Sequence, residues 1–282
     1  MSGAPDPRYV VARSVLLDAL EALGAQREAV VVVGAQAIYM HTDALELAVA
    51  EFTTDGDLTI DPALLHELPE IESAMLAARF RRGKRVGAWV VDRDVDGVPT
   101  EVEIDLMVPE AVGGAGRRGA RLPGHAKEVA RKARGLEAAL VDKHTMVISA
   151  LDAGDVRSFA VAVAGPAALL VAKLHKVRER ISEREQRRLD DKDALDVLRL
   201  LQATSTRTLA GAFVPLLETA RTKDITREAL GALKDLFGDP RASGSQMAVR
   251  AVGALTPAEE IAGSCAVLAN DLLQAVDAMR SA

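Results

Sequence analysis

The chain has 282 residues, a length that fits one large domain or two modest ones. Hydrophobic residues make up 49% and charged residues 27%, which excludes a disordered chain, a collagen-like repeat and a disulfide-rich scaffold. Aromatic residues are only 3%, which argues against a surface that stacks nucleic-acid bases. The net charge of -6 excludes a generic polycation that coats nucleic acid, but it leaves room for a local basic face.

The single cysteine, Cys265, cannot form an internal disulfide, and its apolar helical surroundings predict a buried, unreactive side chain. No metal site of the Cys/His type is expected. The first residues include an acid and no uninterrupted apolar run, so we expect no signal peptide. The longest apolar stretches are shorter than the roughly 18 residues that a membrane span needs. These features predict a cytoplasmic protein without a membrane partner.

Hydrophobic periodicity predicts alternating helices and strands in the first part of the chain. The β-branched run that ends in Gly34 is typical of a buried strand, and the segment Asp94–Gly97 is a hairpin signal between two strand-like runs. The predicted strands are 29–34, 57–60, 86–92, 98–108, 137–150 and 157–164. The predicted helices are 8–24, 35–50, Pro62 to about Phe80, and a short one before 137.

The pattern changes at Gly165–Pro166. From there to the last residue, the spacing of apolar residues predicts helices alone, with breaks near Thr204, Gly238–Pro240 and Gly253. We therefore expect an α/β (α+β) fold with two domains, a mixed-sheet domain over 1–165 and an all-helical domain over 166–282.

Two acids, Asp55 and Asp57, flank Gly56 at the mouth of the strand predicted at 57–60. Residues two apart on a strand point the same way, so both carboxylates are expected to face one spot. Two convergent carboxylates repel each other unless a cation joins them, and oxygen ligands suit Mg²⁺. The alternative is a solvated Asp-Gly-Asp turn.

A third acid lies in the strand predicted at 98–108. Apolar residues at 102, 104 and 106 alternate there with Glu103 and Asp105, so one face of the strand is apolar and the other is acidic. If this strand lies beside the one that carries Asp57, Asp105 can complete a three-carboxylate metal site of the kind that drives in-line displacement on a triphosphate. The alternative is an exposed edge face.

A charged cluster occurs at helical spacing in the predicted helical domain. Lys173 interrupts an apolar stripe, so we expect a buried stem whose ammonium has a partner, either a triphosphate or Asp193. Lys176 lies on the same helix as Lys173, and Asp196 follows Asp193 by about one helical turn. The alternative is a surface salt-bridge network between two helices, which contributes little stability.

Basic residues outnumber acidic ones between residues 79 and 134, although the chain as a whole is acidic. The first basic run contains Arg81, Arg82 and Lys84, and the second extends over 117–134. Segregated positive charge suits a ligand with a phosphate backbone such as RNA. The alternative is a solvated face without a ligand.

In their order along the chain, these motifs resemble the nucleotidyltransferase superfamily with a DNA polymerase β-like core, and within it the AbiEii/MenT-type toxin branch. That pattern consists of a Gly-ended strand and a helix, then T-x-D-x-D-L, a lone strand Asp, an A-x-K-L helix and K-D-x-x-D. The segments that carry the resemblance are Gly34–Ala35, Thr53–Leu58, Asp105, Ala172–Leu174 and Lys192–Asp196, within about residues 28–200.

The resemblance implies an Mg²⁺-dependent enzyme that moves a nucleoside monophosphate from an NTP to an acceptor hydroxyl and releases pyrophosphate. Asp55 and Asp57 would bind the metal, and Asp105 would join the ion that activates the acceptor hydroxyl. Lys173 would neutralise charge on the triphosphate, and Asp193 would orient Lys173 or help to deprotonate the acceptor.

The same resemblance places the nucleotide beside Gly34, Ala35 and Thr53, with Lys173 and Lys176 near its phosphates. Two positions depart from the family pattern. Ala35 stands where the family has a second Gly or Ser, and Glu51 stands where it often has Arg.

The implied acceptor is the 3′ end of a tRNA, held by the basic run with Arg81, Arg82 and Lys84. The implied setting is a toxin–antitoxin pair or phage defence, with a cognate antitoxin as a partner. Two alternatives stay open. One is nucleotidyl transfer to a small molecule or a protein, and the other is an inactive family member that serves as a binding or antitoxin module.

Overall fold

The computed structural model describes residues 5–42, 52–182 and 191–281. Within these residues, an eight-stranded mixed sheet is followed by a series of helices, which confirms the predicted fold class. The strands are β1 (Val30–Val33), β2 (Asp55–Ile60), β3 (Arg81–Arg82), β4 (Ala88–Val95), β5 (Val98–Pro109), β6 (Arg131–Ala133), β7 (Lys143–Ser149) and β8 (Ser158–Ala164). The helices are α1 (Pro7–Ala22), α2 (Gly34–Thr42), α3 (Ile71–Ala77), α4 (Pro166–Ser182), α5 (Lys192–Ala203), α6 (Thr206–Glu218), α7 (Lys223–Phe237), α8 (Ser243–Val252) and α9 (Ala258–Ser281).

The sheet has the strand order β3-β4-β5-β2-β1-β8-β7, and β6 pairs with β5 where β4 no longer does. The pairs β2–β5, β1–β8 and β5–β6 are parallel, and the others are antiparallel. The interior strand β1 is buried along its whole length, which explains its continuous β-branched sequence. β2 and β5 are interior neighbours, and this pairing positions the acidic residues.

The hairpin predicted at Asp94–Gly97 joins β4 to β5. Asp96 and Gly97 both have positive φ, 52° and 81°, which is the conformation of a tight turn whose twist matches that of the flanking strands. The Asp94 carboxylate accepts a hydrogen bond from the Gly97 N–H at 2.8 Å. The structure therefore confirms this hairpin.

The helix predicted from Pro62 to Phe80 is wrong over its first half, because only Ile71–Ala77 is α-helical. The Asp61 carboxylate accepts the Ala63 N–H at 3.0 Å and so stabilises a turn where the helix was expected to begin. Pro69 then disfavours helical backbone at the residue before it. The observed helix starts after this proline, at Ile71.

The strand predicted at 137–150 starts later, at Lys143, and is preceded by a 3₁₀ turn at Glu137–Leu140. The buried Glu137 carboxylate accepts the N–H groups of Gly135 and Ala111, at 2.9 and 3.1 Å, and these bonds hold the turn. The short strands β3 and β6 were missed, since two or three residues carry no periodicity. The helix predicted at 35–50 is α2 as far as Thr42, and its remainder lies outside the described residues.

The described chain divides into two compact units. The division falls after Ala37 and again between Ala164 and Gly165, so residues 38–42 cluster with the C-terminal helices. We call residues 5–37 and 52–164 the sheet unit, and residues 38–42, 165–182 and 191–281 the helical unit. The second division lies beside the expected boundary at Gly165–Pro166, whereas no spacing of apolar residues indicates that part of α2 groups with the later helices.

In the helical unit, Cys265 is buried on α9, as predicted. Burial raises the pKa of its thiol to about 12, against a hydrogen bond with Ser245 that lowers it. The thiol therefore stays protonated at neutral pH, which agrees with an unreactive packing role.

Candidate active site

α1 packs on the apolar face of β2 and β5, and the acidic residues of both strands lie on the other face. A Cβ atom at Gly56 would lie 2.7 Å from Ile104 and 3.3 Å from Leu16 of α1, so glycine is needed where the helix covers the sheet. Asp55 and Asp57 alternate with Gly56 and therefore project from the opposite face of the sheet. The Asp-Gly-Asp motif thus belongs to a packed strand, and the alternative of a solvated turn is wrong.

The register of β2 against β5 brings four acids to that face. Asp55 is opposite Glu103 and Asp57 is opposite Asp105, and opposed residues of neighbouring strands share a face. β5 lies between β4 and β2, so the alternative of an exposed edge is wrong too, and Asp105 is buried. We call Asp55, Asp57, Glu103 and Asp105 the acidic face.

The end of β1 is shaped around one of these acids. Val33 pairs with Asp57, and Gly34 starts α2 with a φ of 70°. A Cβ atom at Gly34 would lie 2.6 Å from Cγ of Asp57, so any other residue would displace the carboxylate. Gly34, which is predicted to lie beside the nucleotide, therefore gives Asp57 the space it occupies.

A hydrogen-bond network fixes the start of β2. The buried Thr53 hydroxyl donates to Oδ1 of Asp55 at 2.5 Å. The Gln36 side-chain amide donates to the carbonyl oxygen of Asp55 at 2.9 Å, and its own oxygen accepts from Nε of Arg13 at 2.8 Å. These bonds tie α1, α2 and β2 together and hold Asp55 in place. Gln36 and Arg13 were not predicted as site residues, because nothing local marks them.

The guanidinium group of Arg131 lies at one end of the acidic face. Nε of Arg131 lies 3.0 and 2.9 Å from the two carboxylate oxygens of Asp105, and its Nη2 lies 2.7 Å from Oδ2. Burial acts to lower the pKa of Arg131, but the hydrogen bonds that Arg131 donates to Asp105 and the charges of Asp105, Asp57 and Glu103 outweigh it and raise that pKa. Arg131 is therefore charged at every relevant pH.

A second guanidinium neutralises the remaining acid of β5, because Arg85 forms an ion pair with Glu103. Within residues 5–42, 52–182 and 191–281, no three His, Cys, Asp or Glu side chains form a group that could hold a metal ion. Asp105 is turned toward Arg131, which leaves Asp55 and Asp57 as the members of the predicted metal set outside this ion pair.

The helical unit contains a cluster of opposite character, formed by α4 and α5. Nζ of Lys173 lies 2.7 Å from Oδ1 of Asp193 and 2.7 Å from Oδ2 of Asp196. The three side chains are 9%, 3% and 0% exposed, so the alternative of a surface network is wrong. Burial acts to lower the pKa of Lys173, but the two carboxylates outweigh it and raise the pKa above its ordinary value. The ammonium is thus paired on two sides.

Further cations surround the two buried carboxylates. Lys176 and Arg180 approach Asp193 at 3.4 and 3.1 Å, and Arg199 lies 3.5 Å from Asp196. Burial acts to raise the pKa of Asp193, but Lys173, Lys176 and Arg180 lower it to about 2. We call these six residues the basic cluster, in which four cations outnumber two carboxylates.

Both groups of residues lie within one stretch of recognisable family sequence. A sequence profile described as Nucleotidyltransferase matches residues 12–216, more than half of the chain. This chain belongs to that nucleotidyltransferase family. Comparison with curated proteins yields no match. The protein is therefore an enzyme that transfers a nucleotidyl group, with an NTP as the donor, and the profile match includes the acidic face and all six residues of the basic cluster.

The acidic face of this nucleotidyltransferase fits a divalent cation in part. Asp55 and Asp57 supply the hard carboxylate oxygens that Mg²⁺ prefers, and Mg²⁺ is commonly held by one or two carboxylates together with substrate phosphates. Gly34 leaves the space that keeps Asp57 in position. Asp105 does not fit as a ligand in this arrangement, because Arg131 contacts both of its oxygens.

The residues predicted to bind the nucleotide are separated into several environments. Ala35 and Thr53 are buried, and the Thr53 hydroxyl is used on Asp55. Lys176 is 49% exposed and reaches Asp193, whereas Lys173 is enclosed. Glu51, one of the two departures from the family pattern, lies outside the described residues.

The first basic run is largely paired with acids. Arg81 contacts Asp92 and Glu101 at 3.0 and 2.8 Å, and Arg82 contacts Glu72 at 2.7 Å. In the part of the chain that the structure describes, no ion pair forms at the exposed Lys84. The predicted RNA surface at Arg81, Arg82 and Lys84 therefore carries less net positive charge than its sequence suggests, and its role stays a prediction.

The second basic run is built differently. Arg117, Arg118 and Arg121 are exposed, and they form no ion pair with any residue that the structure describes. Their loop is held against β6, because the Ala120 N–H donates to Ala130 at 2.9 Å and the Lys132 N–H donates to Arg118 at 2.7 Å. Arg131 begins this strand. We call Arg117, Arg118 and Arg121 the basic loop.

No helix among the described residues is long and apolar enough to cross a membrane.

Proposed function

We propose that this nucleotidyltransferase acts with Mg²⁺ and adds a nucleoside monophosphate to the 3′ end of a tRNA, as the toxin of a toxin–antitoxin or phage-defence system. The observation that carries the metal-dependent part is the register of β2 and β5, which gathers carboxylates on one side of the sheet beside Gly34. The tRNA acceptor and the biological setting rest on the resemblance to AbiEii/MenT-type toxins and on the exposed cations of the basic loop.

The metal would be held by Asp55 and Asp57. An Mg²⁺ ion there would neutralise charge on the triphosphate and help to align it for in-line displacement. Thr53 donates a hydrogen bond to Asp55 and so fixes which carboxylate oxygens stay available. Gln36 fixes the backbone of the same residue, and Gly34 keeps the neighbouring carboxylate from being displaced. These contacts preorganise the ligands before substrate arrives.

In the proposed reaction, the acceptor hydroxyl oxygen forms a bond to the α-phosphorus of the NTP, and the bond to the β-phosphate oxygen breaks. The hydroxyl proton is lost, and pyrophosphate leaves with the electron pair. This chain contributes positioning and electrostatic stabilisation, as is usual for reactions at phosphorus.

The basic cluster would bind phosphate oxygens of the NTP. Its cations outnumber its carboxylates, so its residual positive charge suits phosphate oxygens. Lys176 and Arg180 are the more exposed cations of the cluster, at 49% and 29%. Lys173 would act through Asp193 and Asp196, which it holds in the core. The Lys173 role implied by the resemblance thus becomes one of positioning, with Lys176 as the direct phosphate contact.

One observation favours the second candidate, in which the acceptor is a small molecule or a protein. Arg81 and Arg82 already have acidic partners, so the first basic run offers little net charge to a phosphate backbone. An acceptor with few phosphates would not need that surface.

Labelled transfer separates these possibilities. Purified wild type is incubated with each α-labelled NTP, Mg²⁺ and either total RNA, purified tRNA or RNA-depleted cell extract. We expect label on tRNA with one NTP preferred, and no label with EDTA. Label on protein or small molecules in the RNA-depleted extract would select the second candidate. If wild type and Asp57→Asn fold equally well and neither labels an acceptor, the proposed metal-dependent transfer is wrong.

A further inference from the structure

Arg131 contacts Asp105 at one end of the acidic face. Three hydrogen bonds between 2.7 and 3.0 Å join the guanidinium to both carboxylate oxygens. A two-pronged ion pair of this kind is geometrically specific and stronger than a neutral hydrogen bond. Asp105 is buried, and the Arg131 side chain is 32% exposed. The pair thus closes one end of the acidic face.

The backbone keeps Arg131 at this position. β6 pairs with β5 in parallel, with Arg131 opposite Met107, two residues beyond Asp105. Nη2 of Arg131 also contacts the Met107 sulfur at 2.9 Å. An arginine cannot lose its proton in a protein, so the positive charge beside Asp105 is permanent. Asp57 and Glu103 lie close enough for their charges to act on Arg131 as well.

We propose that Asp105 is the ion-pair partner of Arg131 and not a ligand of a divalent cation, and that Arg131 supplies a fixed positive charge to the acidic face. Of the four acids of the acidic face, only Asp55 and Asp57 then bind a divalent cation. This inference rests on the proposed function for the metal site at those two residues. Arg131 is a positioning residue, since it fixes the carboxylate that would otherwise be available to a second ion.

The physical reason lies in the cost of buried charge. A buried carboxylate needs a hydrogen-bonded partner, and either a metal ion or an arginine can meet that need. Arg131 meets it without a ligand from solution. A second ion at Asp105 would have to displace three hydrogen bonds and would then lie beside a displaced guanidinium of like charge.

Binding of Mn²⁺ alone to the full chain, followed by electron paramagnetic resonance at pH 7, tests the ligand set. The decisive variant is Arg131→Gln/Asp105→Asn, because it removes the pair and leaves the net charge unchanged. We expect its Mn²⁺ dissociation constant to stay within about threefold of wild type. The matched control, Arg85→Gln/Glu103→Gln, removes the neighbouring pair in the same way and should behave alike. Asp57→Asn should weaken Mn²⁺ binding at least tenfold.

The single variant Arg131→Gln should change Mn²⁺ affinity in the direction opposite to Asp57→Asn. It releases the Asp105 carboxylate and removes a like charge, so Mn²⁺ should bind at least tenfold more tightly or at one additional site. The proposal is overturned if the charge-neutral double variant loses Mn²⁺ as severely as Asp57→Asn does. It is equally overturned if a folded Arg131→Gln protein binds Mn²⁺ as wild type does.

Urea unfolding in EDTA provides a readout that needs no metal and stays informative if a single variant folds poorly. We expect Arg131→Gln and Asp105→Asn each to lower the unfolding midpoint more than the double variant does, because each single change leaves one charge unpaired. Additive losses would contradict the ion pair. If wild type binds no Mn²⁺ but the cycle shows coupling, the proposed metal site fails while the Arg131–Asp105 pairing stands.

Discussion

The acidic face of the sheet unit and the basic cluster of the helical unit are both built from carboxylates and cations, but in opposite proportion. On the sheet, four carboxylates are accompanied by the guanidinium groups of Arg85 and Arg131. In the helical unit, two carboxylates are accompanied by four cations. One group thus has an excess of negative charge and the other an excess of positive charge.

The two groups also differ in burial, and this difference separates their roles. The side chains of Lys173, Asp193 and Asp196 are almost fully enclosed. The folded state therefore needs their ion pairs, because a buried charge without a partner is strongly destabilising. Asp55 is half-buried at the start of a strand, where a ligand from solution can reach it. Charge in the core is matched inside the protein, whereas the carboxylate at the start of β2 stays partly exposed.

The largest expected effect follows from breaking the buried pairing. Lys173→Ala leaves two enclosed carboxylates without their shared cation, so the free energy of unfolding at pH 7 should fall by about 3–5 kcal/mol. The matched control Lys176→Ala removes a half-exposed lysine from the same helix and should cost less than about 1 kcal/mol. Urea denaturation measures both. Equal losses in the two variants would contradict the enclosed network.

The next effect concerns catalysis. Asp57→Asn removes one of the two carboxylates assigned to the metal and should lower the rate of nucleotidyl transfer at least about 100-fold. Stability in EDTA should be unchanged or slightly higher, because repulsion within the acidic face falls. Asp92→Asn, an exposed acid on β4 of the same sheet, is the control and should retain activity. Full transfer by a folded Asp57→Asn protein would contradict the assignment of the metal site to the acidic face.

A pH series sharpens the contrast in burial. The pKa of Asp193 is about 2 in the folded protein, below its ordinary value of 3.8, so the carboxylate stabilises the fold above about pH 4. That contribution, about 2 kcal/mol, is lost as the pH falls toward 2. Asp193→Asn should therefore be less stable than wild type at pH 7, and the difference should shrink between pH 5 and 3.

The control for this series is Asp224→Asn, which removes an exposed acid from α7. Its unfolding free energy at pH 7 should stay within about 1 kcal/mol of wild type. A gap between wild type and Asp193→Asn that stays constant down to pH 3 would mean that Asp193 is not held ionised by the surrounding cations.

The smallest expected effect concerns the acceptor. The triple Ala variant of the basic loop (Arg117, Arg118, Arg121) should lower the salt dependence of RNA binding by roughly one unit for each lost phosphate contact. The triple Ala variant of Arg81, Arg82 and Lys84 should lower it less, because two of those side chains have acidic partners. NTP binding should change little in either. An unchanged slope in the first variant would favour an acceptor other than RNA.

The sequence allowed most of the local structure to be predicted. The hairpin at Asp94–Gly97, the buried strand before Gly34 and the alternating faces of β5 all follow from the identity and spacing of neighbouring residues. The first half of the helix predicted from Pro62 failed because the Asp61 side chain and Pro69 favour a turn over helix. Such local competition is hard to weigh from periodicity alone.

Spacing also identified the residues of the candidate site but not their partners. A period of two shows that Asp55 and Asp57 share a face, and a helical period shows that Lys173 lies on an apolar stripe. The pairing of Asp105 with Arg131 depends on the register between β5 and β6, two strands separated by more than twenty residues. Arg131 therefore looked like one more member of a basic run.

By itself, the sequence determined which faces the strands and helices expose and which chemical groups stand on them, because side-chain direction follows from backbone geometry within a few residues. Only the tertiary structure decided which charges meet. Lys173 forms ion pairs with two aspartates of the next helix, and Arg131 forms one with Asp105. In the first basic run, Arg81 pairs with acids of neighbouring strands. Pairings of this kind depend on register and packing between distant segments, and no local pattern encodes them.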